Sequence, residues 1–308
     1  MGEIVRRYSA AVAFCLCTIL PFFRGGEPKA SPRKPVEAAQ NSLKLDLRAQ
    51  RSSPSDLEIS GDLAGQLSGA KYYLSREDLL RLPQVNFTVN DDPNFSGPTK
   101  VKGVELATLA RAFAVEGEKA LVVAICDDWY RAYYPQQYRQ LHLPVLALEL
   151  EGQPPESWPK SKDGLTMGPY LITHPHFVPS SKTLSQEEEA QVPWGVIRLE
   201  FLDEQNAFAS IIPHNESENS TVQSGYTIAR QNCLRCHGPE SQELLKGKLT
   251  WDGIALFASQ APQNFAAYVR NPKALSKEAQ MPGNPNYDDA TIAALIAYFR
   301  TFVSPTQR

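Results

Sequence analysis

The sequence predicts a multidomain protein, in which a mixed α+β, mainly β domain precedes an all-α domain. The chain has 308 residues, which is long for one compact domain. Short runs rich in β-branched and aromatic residues dominate up to residue 212, and amphipathic helical patterns dominate from residue 222. The charge also changes, from 18 Lys/Arg against 26 Asp/Glu in residues 31–219 to nine against six in residues 220–308.

Residues 1–30 are predicted to be a signal peptide or a membrane anchor. Arg6 and Arg7 precede an apolar run of 16 residues, Tyr8 to Phe23. A membrane-spanning helix needs about 20 apolar residues, so we favour a cleaved signal over an anchor. The arginine pair also suggests a twin-arginine signal, although Tyr8-Ser9-Ala10 fits that pattern poorly. In each case we expect the rest of the chain to be periplasmic or otherwise extracytoplasmic.

Two polar segments predict the domain boundaries. Residues 31–55 are rich in Pro, Ser, Lys and Arg and are predicted to be a flexible tether. Residues 213–221 include the polar run Pro213–Ser220 and are predicted to be a linker. These segments delimit a first domain of residues 56–212 and a second domain of residues 222–308.

Periodicity and helix-start signals predict the elements of both domains. Ser75 and Asp78 form a start signal for a short helix that Pro83 ends, and Val104 to Ala114 has helical spacing. The predicted strands are Leu57–Ile59, Leu121–Ile125, Val145–Leu150, Tyr170–Thr173 and Val196–Phe201. The predicted helices of the second domain are Val222–Gln231, Pro262–Val269 and Asp288–Val303.

The strongest chemical signal is Cys233-Leu234-Arg235-Cys236-His237, the attachment signature of c-type haem. Positions i, i+3 and i+4 lie on one helix face, so two thiols and one imidazole can meet the same porphyrin. A thioredoxin-like pair would follow a strand, and a zinc site would need a second cysteine pair. Met281, in a Pro/Gly loop, is the candidate for the second axial ligand, and Met167 is the competing one.

With Met281-Pro282 and a terminal amphipathic helix containing Ala297-Tyr298-Phe299, this segment resembles the class I cytochrome c family. The resemblance implies one covalent haem c bound through Cys233 and Cys236, with His237 and Met281 on the iron. It also implies electron transport. The aromatic residues expected to wall the haem crevice are Trp251, Phe257, Phe265 and Tyr268.

The first domain resembles the sulfite-oxidase-type molybdopterin-binding fold. The residues that carry the resemblance are Leu57–Gly61, Tyr73–Pro83, Lys102–Leu106, Gly168–Ile172 and Trp194–Glu200. Catalytic members of that family coordinate molybdenum through a cysteine, where Val89-Asn90-Asp91 stands here. We therefore expect no bound molybdopterin and no catalytic residues. Cys126 is interpreted as a small apolar residue on a buried strand.

Three further features of the first domain have alternative interpretations. His174 and His176 alternate in sequence and could begin a metal site, but hydrogen-bonded or exposed histidines are the favoured interpretation. Asp127–Tyr134 with Tyr138 is either a docking or ligand surface or the edge of a hairpin. The run Glu187–Glu189 is interpreted as a solvated loop.

These observations predict an exported monohaem cytochrome whose first domain serves docking or ligand binding. The alternative is a haem-containing sulfite-type molybdenum dehydrogenase that passes substrate electrons to the fused haem. A third hypothesis is a binding module in which the acidic domain docks a redox protein partner in the periplasm or at the membrane. The net charge of −3 gives no indication of a nucleic-acid partner.

Overall fold

The computed structural model describes residues 45, 47–67, 69–214, 218–239 and 244–304. Internal contacts divide the chain into Met1–Ser42 and Leu43–Arg308. The predicted signal or anchor, residues 1–30, lies outside the described residues, as does most of the predicted tether. Of the described helices, none is both long enough and apolar enough to cross a membrane.

The part before residue 214 contains both helices and strands, as predicted. The strands are β1 (Leu57–Gly61), β2 (Tyr72–Leu74), β3 (Val85–Val89), β4 (Thr99–Glu105), β5 (Leu121–Cys126), β6 (Arg131–Tyr134), β7 (Val145–Leu150), β8 (Leu171–Thr173), β9 (Lys182–Thr183), β10 (Gln186–Glu187) and β11 (Val196–Leu202). Its α-helices are α1 (Arg76–Leu80), α2 (Leu106–Phe113), α3 (Gln136–His142) and α4 (Glu204–Phe208). Its 3₁₀ turns are Gly117–Lys119, Pro155–Ser157 and Ala209–Ile211.

The part after residue 218 is helical where it is described, also as predicted. Its α-helices are α5 (Ser220–Ile228), α6 (Trp251–Gln260), α7 (Pro262–Arg270), α8 (Pro272–Leu275) and α9 (Asp289–Arg300). A turn of π-helix, Ala229–Cys233, continues α5. The patterns did not predict Trp251–Gln260 as a helix, because its apolar residues lie on more than one face.

Two larger sheets form the first part. One has the strand order β2-β1-β11-β5-β6, in which β1 and β11 are parallel and the other pairs are antiparallel. The other is antiparallel with the order β3-β4-β7-β8. Strands β9 and β10 form a separate two-stranded sheet. The prediction of a mixed, mainly β architecture is therefore confirmed for residues 56–212 where they are described.

Local signals placed most element ends correctly. The Ser75 hydroxyl accepts from the Asp78 N–H and the Asp78 carboxylate accepts from the Ser75 N–H, so the predicted start signal of α1 is a complete capping box. The predicted helix Val104–Ala114 was wrong at its start. Val104 belongs to β4, where it pairs with Leu146, and α2 begins at Leu106.

The two predicted polar segments contact folded parts of the chain where they are described. Within the predicted tether, the Arg48 N–H and C=O both bond Tyr73 of β2, at 3.2 and 2.8 Å. Within the predicted linker, the Asn219 side chain accepts from the Thr221 N–H at 3.0 Å and caps α5. The His214 ring lies 4.7 Å from the ring of Phe302.

Strand β5 belongs to two hydrophobic clusters at once, because every one of its residues is buried. Val122, Ala124 and Cys126 face the core of the first part. Leu121, Val123 and Ile125 face the opposite side and pack with buried residues of the C-terminal helices. An apolar run without alternation is expected when both faces of a strand are covered. The C-terminal helices therefore cover one face of the five-stranded sheet.

Helices α5 and α9 cross closely at a glycine. A Cβ atom on Gly225 would lie 2.0 Å from the Ala294 carbonyl oxygen, so a larger residue does not fit without moving one helix. Next to this crossing, the Trp251 Nε1–H donates to the Tyr298 hydroxyl at 3.2 Å. The Tyr298 hydroxyl in turn donates to the Ile211 carbonyl at 2.5 Å. This chain of hydrogen bonds links α6 and α9 to the end of the first part.

Candidate functional site

The Cys-x-x-Cys-His segment follows α5 without a break in hydrogen bonding. The Leu234 N–H donates to the Ala229 carbonyl at 3.1 Å, which is the wide turn of the π-helix. The N–H groups of Cys236 and His237 both donate to the Cys233 carbonyl, at 3.1 and 2.9 Å. The backbone therefore holds both cysteines and the histidine within one tight turn.

The His237 ring is fixed by a backbone carbonyl. Its Nδ1 lies 2.7 Å from the Leu249 carbonyl oxygen, and only an N–H can donate to that oxygen. Nδ1 therefore carries the proton, and Nε2 keeps its lone pair for a metal. Burial lowers the pKa of His237, although the hydrogen bond to Leu249 acts in the opposite direction. The neutral imidazole is the form that ligates iron.

A glycine makes room for this ring. A Cβ atom on Gly247 would lie 2.3 Å from His237 Cε1 and 2.4 Å from Nδ1. Any side chain at Gly247 would thus displace the imidazole from the Leu249 carbonyl.

The two cysteines of the motif are free thiols in this structure. Burial raises the pKa of Cys233 to about 12, with a smaller contribution from Cys236, and the neighbouring Arg235 acts in the opposite direction. Burial also raises the pKa of Cys236, which Lys246 and Arg235 oppose. The residues present therefore fit a covalent haem, with two thiols and a neutral imidazole on one turn.

The two candidate methionines lie in different clusters. Met281 is partly buried and packs against the cluster that also contacts Cys233 and contains Phe265. Met167 is fully buried in a separate cluster with Val101 and Trp158. The structure thus brings Met281, and not Met167, to the hydrophobic surroundings of the motif.

The loop that carries Met281 is tied to α7. The Asn284 N–H donates to the Val269 carbonyl at 2.9 Å, and Arg270 Nε donates to the Tyr287 carbonyl at 2.8 Å. The predicted aromatic cover lies in the same region, where Trp251 and Phe265 are buried and Phe257 and Tyr268 are partly buried. The rings of Phe257 and Phe265 are 5.8 Å apart, at an edge-on angle.

The turn between β5 and β6 contacts the haem-motif segment. The Arg131 N–H donates to the Arg235 carbonyl at 2.8 Å, and the Arg131 guanidinium donates to the Leu244 carbonyl at 2.7 Å. Lys246 and Asp128 form an ion pair beside them. The interpretation of Asp127–Tyr134 as the edge of a hairpin is confirmed, because β6 is the edge strand beside β5. The turn between the two strands contacts the C-terminal part of the same chain.

Residues 185–191 form a second connection, which the sequence did not indicate. The Ser185 and Thr291 hydroxyls are 2.6 Å apart, Glu189 pairs with Arg235 at 3.4 Å, and Glu188 contacts His142 Nε2 at 3.1 Å. The interpretation of Glu187–Glu189 as a solvated loop is therefore wrong for Glu188, whose side chain is 11% exposed, whereas the Glu189 side chain is exposed. A run of three glutamates has no periodicity, and the contacts of Glu188 with His142 and of Glu189 with Arg235 each join residues 46 positions apart in sequence.

The first-domain histidines do not share a metal site. His174 is buried and its Nε2 lies 3.0 Å from the Tyr138 hydroxyl, whereas the His176 side chain is 75% exposed and pairs with Asp91 at 3.2 Å. Throughout the described ranges, no three His, Cys, Asp or Glu side chains are grouped to hold a metal ion. The preferred interpretation, hydrogen-bonded or exposed histidines, is confirmed.

The segment Val89-Asn90-Asp91, where the resemblance leads us to expect the molybdenum ligand, ends in a carboxylate. Asp91 follows β3, and its Oδ2 pairs with His176 and accepts the Phe177 N–H at 3.2 Å. Cys126 is 2% exposed on β5, and burial raises the pKa of its thiol. The residues present therefore do not fit a thiolate-bound molybdenum.

The comparisons with solved structures include a weak match. No protein-family model and no curated protein matches the chain. The structure is similar to a chain of the sulfane dehydrogenase SoxCD from Paracoccus pantotrophus, with a TM-score of 0.33 and 19% identity. The match covers 51% of this chain and 40% of that chain, so the present chain spans well under half of that protein. With a TM-score this low, the match supports no assignment of fold or function.

Proposed function

We propose that this chain is an exported electron-transfer protein that carries one haem c in residues 222–308. The observation that carries the proposal is His237, whose Nδ1–H donates to the Leu249 carbonyl and leaves Nε2 for iron, next to the thiols of Cys233 and Cys236. A bound haem c would supply one-electron redox chemistry, between the ferric and ferrous states of its iron.

The residues of the chain have separate roles in this proposal. Cys233 and Cys236 would hold the porphyrin through thioether bonds, and His237 and Met281 would ligate its iron. A thioether ligand favours a high reduction potential, which suits an electron carrier. The apolar cluster around Trp251 and Phe265 keeps water from the site. The electron donor and acceptor would be redox proteins of the periplasm or its membrane.

We also propose that residues 56–212 have the sulfite-oxidase-type fold but serve docking or ligand binding instead of catalysis. The support is that Val89-Asn90-Asp91, the segment of the expected cysteine ligand, contains no cysteine and that its Asp91 carboxylate pairs with His176. The rival hypothesis, a haem-containing sulfite-type dehydrogenase, requires a protein thiolate for molybdenum. Cys126 is buried in the core and its raised pKa opposes the thiolate form, so we do not favour that hypothesis.

The proposal is tested on the full chain produced in a host that matures c-type cytochromes and makes molybdopterin. We expect stoichiometric iron, no stoichiometric molybdenum, and haem that acidified acetone does not extract. Cys233→Ala should lose one thioether bond, which the shifted α-band of the reduced haem reports. Cys126→Ala is the control and should retain the native spectrum. Full extraction of haem from the unmodified protein would refute the proposal, and molybdenum lost on Cys126→Ala would support the dehydrogenase.

A further inference from the structure

The haem motif contains a buried positive charge that attachment itself does not require. Arg235 lies between Cys233 and Cys236, directly before Cys236 and two residues before His237. Its side chain is 12% exposed. A guanidinium stays protonated in proteins, and water and salt screen a buried charge much less than an exposed one. Its field therefore acts on whatever binds the neighbouring residues.

The first part of the chain holds this charge in place. The Arg131 N–H, at the start of β6, donates to the Arg235 carbonyl at 2.8 Å. The Arg235 guanidinium donates to Glu189 Oε2 at 3.4 Å and to the Glu189 carbonyl at 3.5 Å. The Glu189 side chain is 62% exposed, so water screens its charge more strongly. The pair thus consists of a buried cation and a solvated anion.

We propose that Arg235, held by Arg131 and Glu189, raises the reduction potential of the haem, so that the first part of the chain tunes the redox site without providing an iron ligand. This proposal rests on haem c attachment at Cys233 and Cys236. Reduction adds one electron from the donor to the iron and neither forms nor breaks a bond. The charge of the site falls by one, and a nearby positive charge stabilises the reduced state.

The test is an equilibrium redox titration of the full holoprotein with dithionite and small mediators. Arg235→Gln should shift the ratio of oxidised to reduced haem at least about tenfold towards the oxidised form, which is about 59 mV for a one-electron couple. Arg235→Lys should stay near the unmodified value. Lys277→Gln, which removes an exposed cation from the same part of the chain, should leave the potential unchanged.

A second variant separates charge from loosened packing. Breaking the ion pair from either side could admit water, which would lower the potential in both cases. Glu189→Gln removes the negative charge, so the electrostatic proposal predicts a higher potential, with a smaller shift than that of Arg235→Gln. Shifts of the same sign in both variants, or an unchanged potential in Arg235→Gln, would overturn the proposal. Absence of covalent haem from the unmodified protein would instead overturn the function proposed above.

Discussion

His237 and His174 differ in what their ring nitrogens contact. In His237 the Nδ1–H donates to a carbonyl oxygen, and Nε2 has no protein partner among the described contacts. In His174 it is Nε2 that is bonded, to the Tyr138 hydroxyl, and Nδ1 is a buried atom without a hydrogen-bond partner in the described part of the chain. The first arrangement suits a metal ligand. In the second, Nδ1 of the buried ring has no acceptor for the proton that it would carry in the positively charged form.

This difference predicts a pH dependence of stability. Burial, with a smaller contribution from His142, lowers the pKa of His174 to about 3. The unfolded chain takes up a proton near pH 6.5 and the folded chain does not, so the His174 contribution is complete above pH 6.5 and is lost as pH falls towards 3. We expect protonation of His174 in the unfolded chain to lower the free energy of unfolding by about 2 kcal/mol between pH 6.5 and pH 5.

Urea unfolding at pH 7.5 and pH 5 measures this contribution. His174→Gln should reduce the difference between the two free energies of unfolding by about that amount. His176→Gln is the control, because the His176 side chain is 75% exposed and lies outside the buried surroundings of His174. An unchanged pH difference in His174→Gln would contradict the prediction.

The choice between the two methionines gives a second prediction at the scale of single residues. Met281→Ala should abolish the sulfur-to-iron charge-transfer band and lower the reduction potential, because a thioether ligand is lost. Met167→Leu conserves volume in a separate cluster and should retain both properties. Loss of the band in Met167→Leu, with its retention in Met281→Ala, would reassign the distal ligand.

At the scale of elements, the close crossing of α5 and α9 depends on a glycine, Gly225, which has no side chain. In Gly225→Ala the added methyl would lie 2.0 Å from the Ala294 carbonyl oxygen, and overpacking of this kind costs about 1–3 kcal/mol. The control is Gly253→Ala in α6, where the same atom would be 3.5 Å from Leu249. There the higher helix propensity of alanine should stabilise by up to about 1 kcal/mol. Equal shifts of the two urea midpoints would show that the crossing tolerates a side chain.

The elements themselves were predicted to different degrees. Long runs of one pattern, such as Val145–Leu150 and Asp289–Arg300, were identifiable because the spacing of their own apolar residues indicates which side is buried. Strands β3 and β4 were missed. Polar residues such as Asn86 and Lys100 interrupt them, and pairing with β7 keeps β4 in a sheet. Pairing partners of this kind are distant in sequence, so no local pattern reports them.

At the scale of the whole molecule, the residues of β5 pack alternately into the core of the first part and against the C-terminal helices. We therefore expect the two parts of the chain to unfold together. Val123 is 1% exposed and packs with the C-terminal helices. Val123→Ala should cost about 1–3 kcal/mol and lower hydrogen-exchange protection both in β11 and in α9. Peptide-resolved hydrogen exchange in moderate urea measures both at once.

The matched control is Val115→Ala, because the Val115 side chain is 61% exposed and its truncation should change neither region. Loss of protection in α9 alone would show that the C-terminal helices unfold independently of the sheet.

The sequence by itself determined the candidate chemistry of this protein. The spacing of Cys233, Cys236 and His237 predicts covalent haem attachment, because a helical turn brings such positions to one face wherever it lies in the fold. Only the tertiary structure decided which methionine joins the cluster around that motif, why β5 is apolar on both faces, and that Arg235 is buried against Glu189. The physical reason is that burial and charge pairing depend on residues far away in sequence, whereas helical spacing depends on neighbours.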